Sequence, residues 1–540
     1  MKQTKPISCA IAFNGHDSSV SVALGRKAVV CIEAERLFRN KKMKCSVPEM
    51  HTLTEFALHT IGASLEDVDY WALATQENPW LSSAQNQKIV DQDFFWEDLD
   101  FFGAKRRALV VSHHYAHACA YYWSGYDEAV VQTCDGGGDF AQRNSVYVGS
   151  GLSLSKHPAD LEAMTTSVPY ALIAHYLYGE AHAEGRMMAL AGFGEDDPTE
   201  TQRAQRLLDA LNQGGAALNG SMSLEERNRL FARGHATCQA VLSDEVSHLK
   251  SLPKRSPEVC NFVHALQTEF TKRRVADVAN VVRRTGKNNI VLSGGACLNL
   301  EANTAVWSHI SRDLYVPSCC DDTGQSLGAL SQLIVEVTGE RPIVALPFLG
   351  EGQESPDGLQ IEAALDHLAK PNAILLMHNG QAEIGPRALG HRSIIGRSND
   401  ATLKEKVSEG LKGREPYRPV APICTAEAAR EVFDGPSHSP FMLHAYSAKN
   451  VDDPRIEGVL HADGSARAQT VTPSTDRYMH QLLKGVTSIT GLPMLMNTSL
   501  NLRGVPIAHS LADTRIVERA AKQAGLAPRI VHEGILLDEA

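Results

Sequence analysis

Hydrophobic positions along the chain follow two rhythms. Residues 7–13 form an apolar run, the polar stretch Asn14-Gly15-His16-Asp17-Ser18-Ser19 follows, and Val20, Val22 and Leu24 then alternate with smaller neighbours. This spacing predicts strand, turn and strand, because successive side chains of a strand point to opposite faces. The same order returns at 129–133, where an apolar run enters Cys134-Asp135-Gly136-Gly137-Gly138-Asp139 and leaves through Val146, Tyr147 and Val148. Two hairpins with glycine-bearing tips predict a duplicated fold in the first part of the chain. A third run, 290–292, opens into Ser293-Gly294-Gly295-Ala296 and then Leu298-Asn299. It reads as a strand feeding a helix through a turn whose glycines let backbone N–H groups approach an anion.

Helical periodicity marks 170–184, 224–242, 261–284 and 325–335, with Phe262, Leu266, Phe270 and Val275 setting the rhythm of the third. Strands interleaved with helices give an α/β fold. Residues 339–358, rich in proline and glycine with little periodicity, are the linker candidate. The expected domains are therefore 1–345 and 346–540, the second opening with a strand at 373–377 and a turn at 380–392 that is rich in glycine and arginine.

Composition narrows the class. With 540 residues and 43% hydrophobic content the chain can bury more than one core. A net charge of −11, without a basic terminal run, disfavours a nucleic-acid partner. The start lacks a signal-peptide pattern and no apolar run reaches membrane-spanning length, so a cytoplasmic protein with no membrane partner is expected. Eleven cysteines without a Cys-x-x-Cys pair, including the adjacent Cys319 and Cys320, read as small buried hydrophobes in a reduced compartment.

Three constellations carry chemistry. In Ser112-His113-His114-Tyr115-Ala116-His117, His113 and His117 share one helix face and leave room for a metal between them, while His114 falls out of phase and reads as structural. Asp135 at the second hairpin tip and Asp322 in Asp321-Asp322-Thr323-Gly324 would complete a mixed nitrogen and oxygen site, suited to iron(II), manganese or zinc. The second constellation is Gly385-Pro386-Arg387-Ala388-Leu389-Gly390, a stiff turn presenting a guanidinium that can grip phosphate with two N–H groups. The third is Lys412-Gly413-Arg414-Glu415-Pro416-Tyr417-Arg418, followed downstream by Arg467 and by Asn497-Thr498-Ser499, which offer cations and short polar groups to a phosphate or nucleotide.

In this order the motifs resemble the O-carbamoyltransferases of nodulation-factor, cephamycin and tobramycin biosynthesis, from Gly15-His16-Asp17 to Gly504-Val505-Pro506-Ile507. The resemblance implies an N-terminal domain of the duplicated actin/sugar-kinase (ASKHA) type, like the tRNA threonylcarbamoyltransferases. It implies a C-terminal domain similar to the threonylcarbamoyl-adenylate synthases. It also implies iron ligands at His113, His117, Asp135 and Asp322, and transfer-site residues at His16 and Lys41. Carbamoyl phosphate and nucleotide would be handled by Arg387, Lys412, Arg418, Arg467, Asn497 and Ser499, with Gly294, Gly295 and Asn299 at the glycine turn; Arg418 would also take part in catalysis. The sequence departs from the family pattern at Arg186, where lysine is usual, at His391 for asparagine, at Leu500 for phenylalanine, and at Arg397 within Gly396-Arg397-Ser398-Asn399.

The expected activity is transfer of a carbamoyl group from carbamoyl phosphate, through a carbamoyl-adenylate made with ATP and Mg, to a hydroxyl of a small natural-product acceptor. A homodimer is compatible with this reading. The acceptor pocket is expected in the loops 76–96 and 214–233. Two rivals come from other classes: a tRNA modifier of the threonylcarbamoyl type, against which the acidic charge speaks, and a non-catalytic actin-like ATP-binding protein, which would need no second anion site. A kinase is a lesser variant.

Overall fold

A computed structural model describes residues 5–75, 78–139, 142–159, 164–213, 224–352, 360–418 and 420–538. It is a mixed α/β protein, and its contacts divide it into two units. One comprises Met1–Ile11, Gly15–Asp69 and Ile343–Ala540; the other comprises Ala12–Asn14 and Tyr70–Pro342. The break near residue 342 falls close to the boundary drawn at 345, but most of the first 69 residues group with the C-terminal part. Hydrogen bonds explain why. Arg36 Nη2 donates to Gly385 O at 2.7 Å and Gly385 N to Glu33 Oε1 at 2.7 Å, while Arg39 donates to the carbonyls of Ile507 and Pro506 at 2.6 and 2.9 Å.

In this first unit seven strands run in the order Gln469–Val471, Ala421–Thr425, Met494–Ser499, Arg392–Arg397, Ala373–His378, Ala527–His532 and Ile535–Leu536. Both faces are buried, and the two-residue strand period sorts the side chains between them. Ile374, Leu376, Ile394 and Met496 enter one core with Val517 and Ala521 of the helix Leu511–Gln523. Leu375, Met377, Ile395 and Leu495 enter the other with Met479, Leu482 and Val486 of the helix Arg477–Thr490. Near the N-terminus, Ser19–Leu24 pairs antiparallel with Lys27–Glu33, a strand that the sequence pattern missed. The linker candidate 339–358 is no free tether, because its backbone is hydrogen-bonded. Ile343 N donates to Arg26 O, Cys31 N to Leu349 O and Gly350 N to Ala382 O. Its residues 353–358 lie outside the described ones.

In the second unit five strands follow the order Leu314–Tyr315, Ile290–Ser293, Glu128–Cys134, Asn144–Ser150 and Ser153–Lys156. The first three are parallel and the last three antiparallel. The hairpin expected around Asp135 is present, with Val131 opposite Tyr147 and Gln132 opposite Val146. An antiparallel hairpin followed by parallel strands occurs earlier too, in Ser19–Leu24 with Lys27–Glu33 and then Tyr70–Ala74 with Ala104–Val111.

One helix expectation is corrected. The stretch 170–184 is two helices, Val168–Tyr178 and Glu184–Ala191, because Gly179 adopts a φ of 69° and its N–H closes the first on His175 O. The third expected helix is Pro257–Thr285, with Pro257 in its first turn, where a missing N–H costs nothing, and Gly286 at φ 66° ending it. Phe262, Leu266 and Phe270 are buried on its inner face. All eleven cysteines are buried thiols. Among the described residues no helix is long and apolar enough to cross a membrane.

Candidate functional site

The second unit gathers His113, His117, Asp135 and Asp322, one ligand atom of each lying within 4.8 Å of the others, all buried. Each arrives on an element whose local sequence places it. The short helix His113–Ala118 presents both histidines one turn apart, and Asp139 caps it by accepting the His113 N–H at 2.5 Å and the Thr75 hydroxyl at 2.7 Å. Asp135 closes the strand Glu128–Cys134. Asp322 opens the turn before the helix Gln325–Thr338. That helix crosses the histidine helix closely at Gly328, where a Cβ would lie 2.0 Å from Ala116 O.

His113 Nε2 is 3.1 Å from Asp135 Oδ2 and 3.3 Å from Asp322 Oδ1, and His117 Nε2 is 3.3 Å from the same Asp322 oxygen. Burial opposes charge on His113, Asp135 and Asp322, yet their pairing prevails. His113 is held well above the ordinary histidine range by Asp322 and Asp135, and Asp322 well below the carboxylate range by His113 and His117. Asp135 comes down to about 2 against both burial and Asp322. Two imidazoles and two carboxylates converging in a buried pocket fit a divalent transition metal. His114 is not part of the set: its Nδ1 meets Ser145 Oγ at 2.8 Å. Burial drives its pKa well below the usual value.

The glycine turn adjoins this cluster. Gly295 N donates to Asp135 Oδ1 at 2.8 Å. Gly294, at φ 95°, is so close to Cys134 that a Cβ would sit 2.2 Å from its carbonyl oxygen. Asn299 is committed elsewhere. Its Oδ1 caps the helix Leu300–His309 through Ala302 N at 3.1 Å, and its amide pairs reciprocally with Gln267 at 3.0 and 3.1 Å.

The first unit holds the opposite kind of site. Arg387, Lys412, Arg414, Arg418 and Arg467 lie together with Lys41 from the N-terminal segment; burial first, and then neighbouring cations of this group, lower the pKa values of Lys41, Lys412, Arg414 and Arg467. Burial, then Arg387, Arg414 and Arg418, push Arg467 well below the arginine range, and burial with Arg418 and Arg387 brings Arg414 to about 9. Lys412 is 2% exposed, and its Nζ reaches Ser499 O, Ser499 Oγ at 2.9 Å and Asn501 Oδ1 at 2.6 Å. Three acceptors match the three N–H groups of an ammonium, so Lys412 fixes Ser499 and Asn501. Arg414 Nη1 donates to Thr498 Oγ1 at 3.1 Å. Asn497, on the strand Met494–Ser499, donates to Ala388 O.

His16 is 44% exposed at its side chain, with Nδ1 2.9 Å from Asp17 Oδ2, an oxygen that also pairs with Lys42 Nζ. Both Asp17 and Lys42 have positive φ, 55° and 53°. Sequence reasoning passed over Asp17, Lys42, Asp139, Arg414 and Asn501. Asp17, Asp139 and Arg414 were inside strings already singled out, without a role of their own.

The family departures are absorbed locally. Arg186 pairs with Glu180 Oε2 at 2.7 Å, His391 stacks on Phe348 at 3.5 Å, Arg397 pairs with Asp400 at 2.6 Å, and Leu500 is core. The loop 76–96 contains the helix Ser83–Asp91 and the start of the strand Phe94–Phe101, residues 76–77 being outside the described ones. In 214–233, residues 214–223 are likewise outside, and the rest begins the helix Leu224–Ser251.

Comparison with known proteins adds a second line of evidence. Residues 8–93 and 80–330 match the carbamoyltransferase N-terminus, and residues 366–526 match the carbamoyltransferase C-terminus. The chain is 27% identical over 544 residues to nodulation protein NolNO of Sinorhizobium fredii, covering 92% of this chain and 76% of that one. It is 30% identical over 342 residues to the 3'-hydroxymethylcephem-O-carbamoyltransferase of Streptomyces clavuligerus, covering 61% of this chain and 60% of that one. Among solved structures, the activator of the 2-hydroxyisocaproyl-CoA dehydratase from Clostridium difficile is similar at a TM-score of 0.35 and 13% identity, covering 62% of this chain and 96% of that one.

Proposed function

The chain belongs to the carbamoyltransferase family, an enzyme family that transfers carbamoyl groups, and from that premise we propose that it carbamoylates a hydroxyl of a small natural-product acceptor, using carbamoyl phosphate and ATP. Carbamoyl phosphate is hydrolysed to carbamate and phosphate. A carbamate oxygen then attacks the α-phosphorus of Mg-bound ATP, forming carbamoyl-adenylate and expelling pyrophosphate. The acceptor oxygen attacks the carbamoyl carbon, AMP leaves, and His16 takes the hydroxyl proton.

The observation that carries the reading is the cation cluster of the first unit. Like charges crowded in a partly buried site are costly, and an anionic substrate offsets that cost. Arg387, Arg414, Arg418 and Arg467 would hold the phosphate groups, with Lys41 beside them, while Lys412 keeps Ser499 and Asn501 in place. Asp17, paired with both His16 and Lys42, orients the His16 ring. Gly294 and Gly295 would lie beside the nucleotide, their missing side chains letting it approach, while their own amides are taken by Cys320 O and Asp135 Oδ1. His113, His117, Asp135 and Asp322 would hold a divalent metal, iron(II) in our assignment, that supplies Lewis-acid stabilisation of negative charge.

The test is release of pyrophosphate from ATP as a function of carbamoyl phosphate. Arg418→Ala is expected to lower that rate about a hundredfold. An unchanged rate in a folded Arg418→Ala protein would remove the cluster from the reaction.

A further inference from the structure

We propose that Arg143 grips an anionic group of the acceptor, a carboxylate or a phosphate ester, and so makes the carbamoylated molecule a hydroxylated acid. The inference rests on the transferase reading above and adds the chemical class of its acceptor.

Arg143 stands at the foot of the hairpin that delivers Asp135. The strands Glu128–Cys134 and Asn144–Ser150 pair antiparallel with Cys134 opposite Asn144. Asp135 N donates to Arg143 O at 2.9 Å, which continues that register and sets Arg143 opposite Asp135. The Asp135 carboxylate is already engaged, Oδ1 by Gly295 N at 2.8 Å and Oδ2 with His113 Nε2 at 3.1 Å.

The guanidinium opposite it is not. Its Nε and Nη1 are buried without a hydrogen-bond partner, and no carboxylate among the described residues forms an ion pair with it. Burial lowers its pKa, and the neighbour that opposes the shift, the Cys238 thiol of the helix Leu224–Ser251, is itself pushed up by burial and stays protonated. The residue is only half-buried, so a ligand can reach it. A desolvated N–H without an acceptor is unfavourable, and the planar fork of a guanidinium matches two oxygens of a carboxylate or phosphate.

Position says which molecule supplies that anion. His113 and His117 meet Asp135 and Asp322, so the metal-site groups balance one another, and Arg143 stands outside that balance. Opposed residues of a hydrogen-bonded strand pair lie about 5.5 Å apart at Cα, so a small molecule with an acid group a few bonds from its hydroxyl can span the cluster and Arg143. The phosphates of ATP and carbamoyl phosphate have Arg387, Arg414, Arg418 and Arg467 in the first unit. The acceptor is the reactant without an assigned cation.

The experiment compares glycolate with ethylene glycol, and glycerol 3-phosphate with glycerol, in wild type, Arg143→Lys and Arg143→Met. Thermal shift reads binding to the protein alone, with AMP as a further ligand, and AMP release in the presence of ATP and carbamoyl phosphate reads transfer. The wild type should favour the acids over their neutral partners by about ten- to a hundredfold, in affinity and in kcat/KM. Arg143→Met should bring that ratio toward one by weakening the acid and sparing the neutral alcohol, with Arg143→Lys between. It should also melt no lower than wild type, because an unpaired cation is removed. Preference for only one of the two acids supports the proposal and names the anion. Equal treatment of acid and alcohol by the wild type overturns it, and so does an acid preference that survives in Arg143→Met, whether or not that protein melts lower. Lost protection by AMP with an unchanged acid ratio assigns Arg143 to the adenylate phosphate and overturns it as well. Acids that protect the wild type and not Arg143→Met, with AMP release that never depends on carbamoyl phosphate, would leave an anion site standing and take down the transfer function together with the acceptor assignment.

Discussion

The buried polar groups of the two units are balanced in opposite ways. In the second unit, His113 and His117 face Asp135 and Asp322, so groups of both signs meet within the pocket, and the pKa values of His113, Asp135 and Asp322 move toward the charged form. In the first unit, Arg387, Arg414, Arg418, Arg467 and Lys41 face one another, and the pKa values cited there move toward the neutral form. On the function proposed above, the first arrangement suits a metal that stays bound and the second a substrate that comes and goes. Charges paired one to one need no ligand to balance them, whereas a cluster whose cations outnumber a nearby carboxylate such as Glu415, 3.8 Å from Arg418, is stabilised further when an anion binds.

The sharpest way to break this comparison is to disable each unit alone. His113→Ala should lower bound metal, measured by elemental analysis, to near zero and reduce transfer to an acceptor by at least about a hundredfold. Carbamoyl-phosphate-dependent pyrophosphate release should survive. Loss of both half-reactions together would show that the two clusters do not divide the work in this way.

Next in size is a contrast in stability. Removing one member of the compensated cluster strands a buried carboxylate, so metal-free His113→Ala should lose about 3 kcal/mol in urea unfolding. Arg467→Met removes a cation from a crowd of cations and should be neutral or gain about 1 kcal/mol without ligand, while abolishing stabilisation by pyrophosphate. Equal destabilisation by the two changes would contradict the asymmetry.

The smallest effect is on pH dependence. Burial alone brings His444 in the first unit down to about 4, below its unfolded value near 6.5. The unfolded chain binds the proton first, so stability is full above about pH 6.5 and falls as the pH drops toward 4. Between pH 7 and 5 the loss attributable to this residue is about 2 kcal/mol, and His444→Phe should flatten that slope in urea titrations.

Sequence was most informative where chemistry and geometry are both local. His113 and His117 lie four apart on one helix, and the Asp135 tip follows directly from its hairpin, so both could be placed before any coordinates. The break at Gly179 was missed because apolar residues continue through it, and only the left-handed glycine shows that the helix stops. Long-range roles were beyond reach. Lys412 looked like a phosphate ligand, and its saturation by Ser499 and Asn501 depends on partners 87 and 89 residues away. The grouping of Gly15–Asp69 with the C-terminal part likewise rests on hydrogen bonds such as Arg36 to Gly385, 349 residues apart. Charge pattern announced the cationic strings, but not that Lys41 would join them.

The central claim is that this carbamoyltransferase activates its carbamoyl group as an adenylate. The direct measurement is mass spectrometry of the purified chain incubated with ATP and carbamoyl phosphate in the absence of any acceptor. Carbamoyl-adenylate and pyrophosphate should appear together and only when both substrates are present. ATP turned over to ADP and phosphate alone, with no adenylate, would contradict the account.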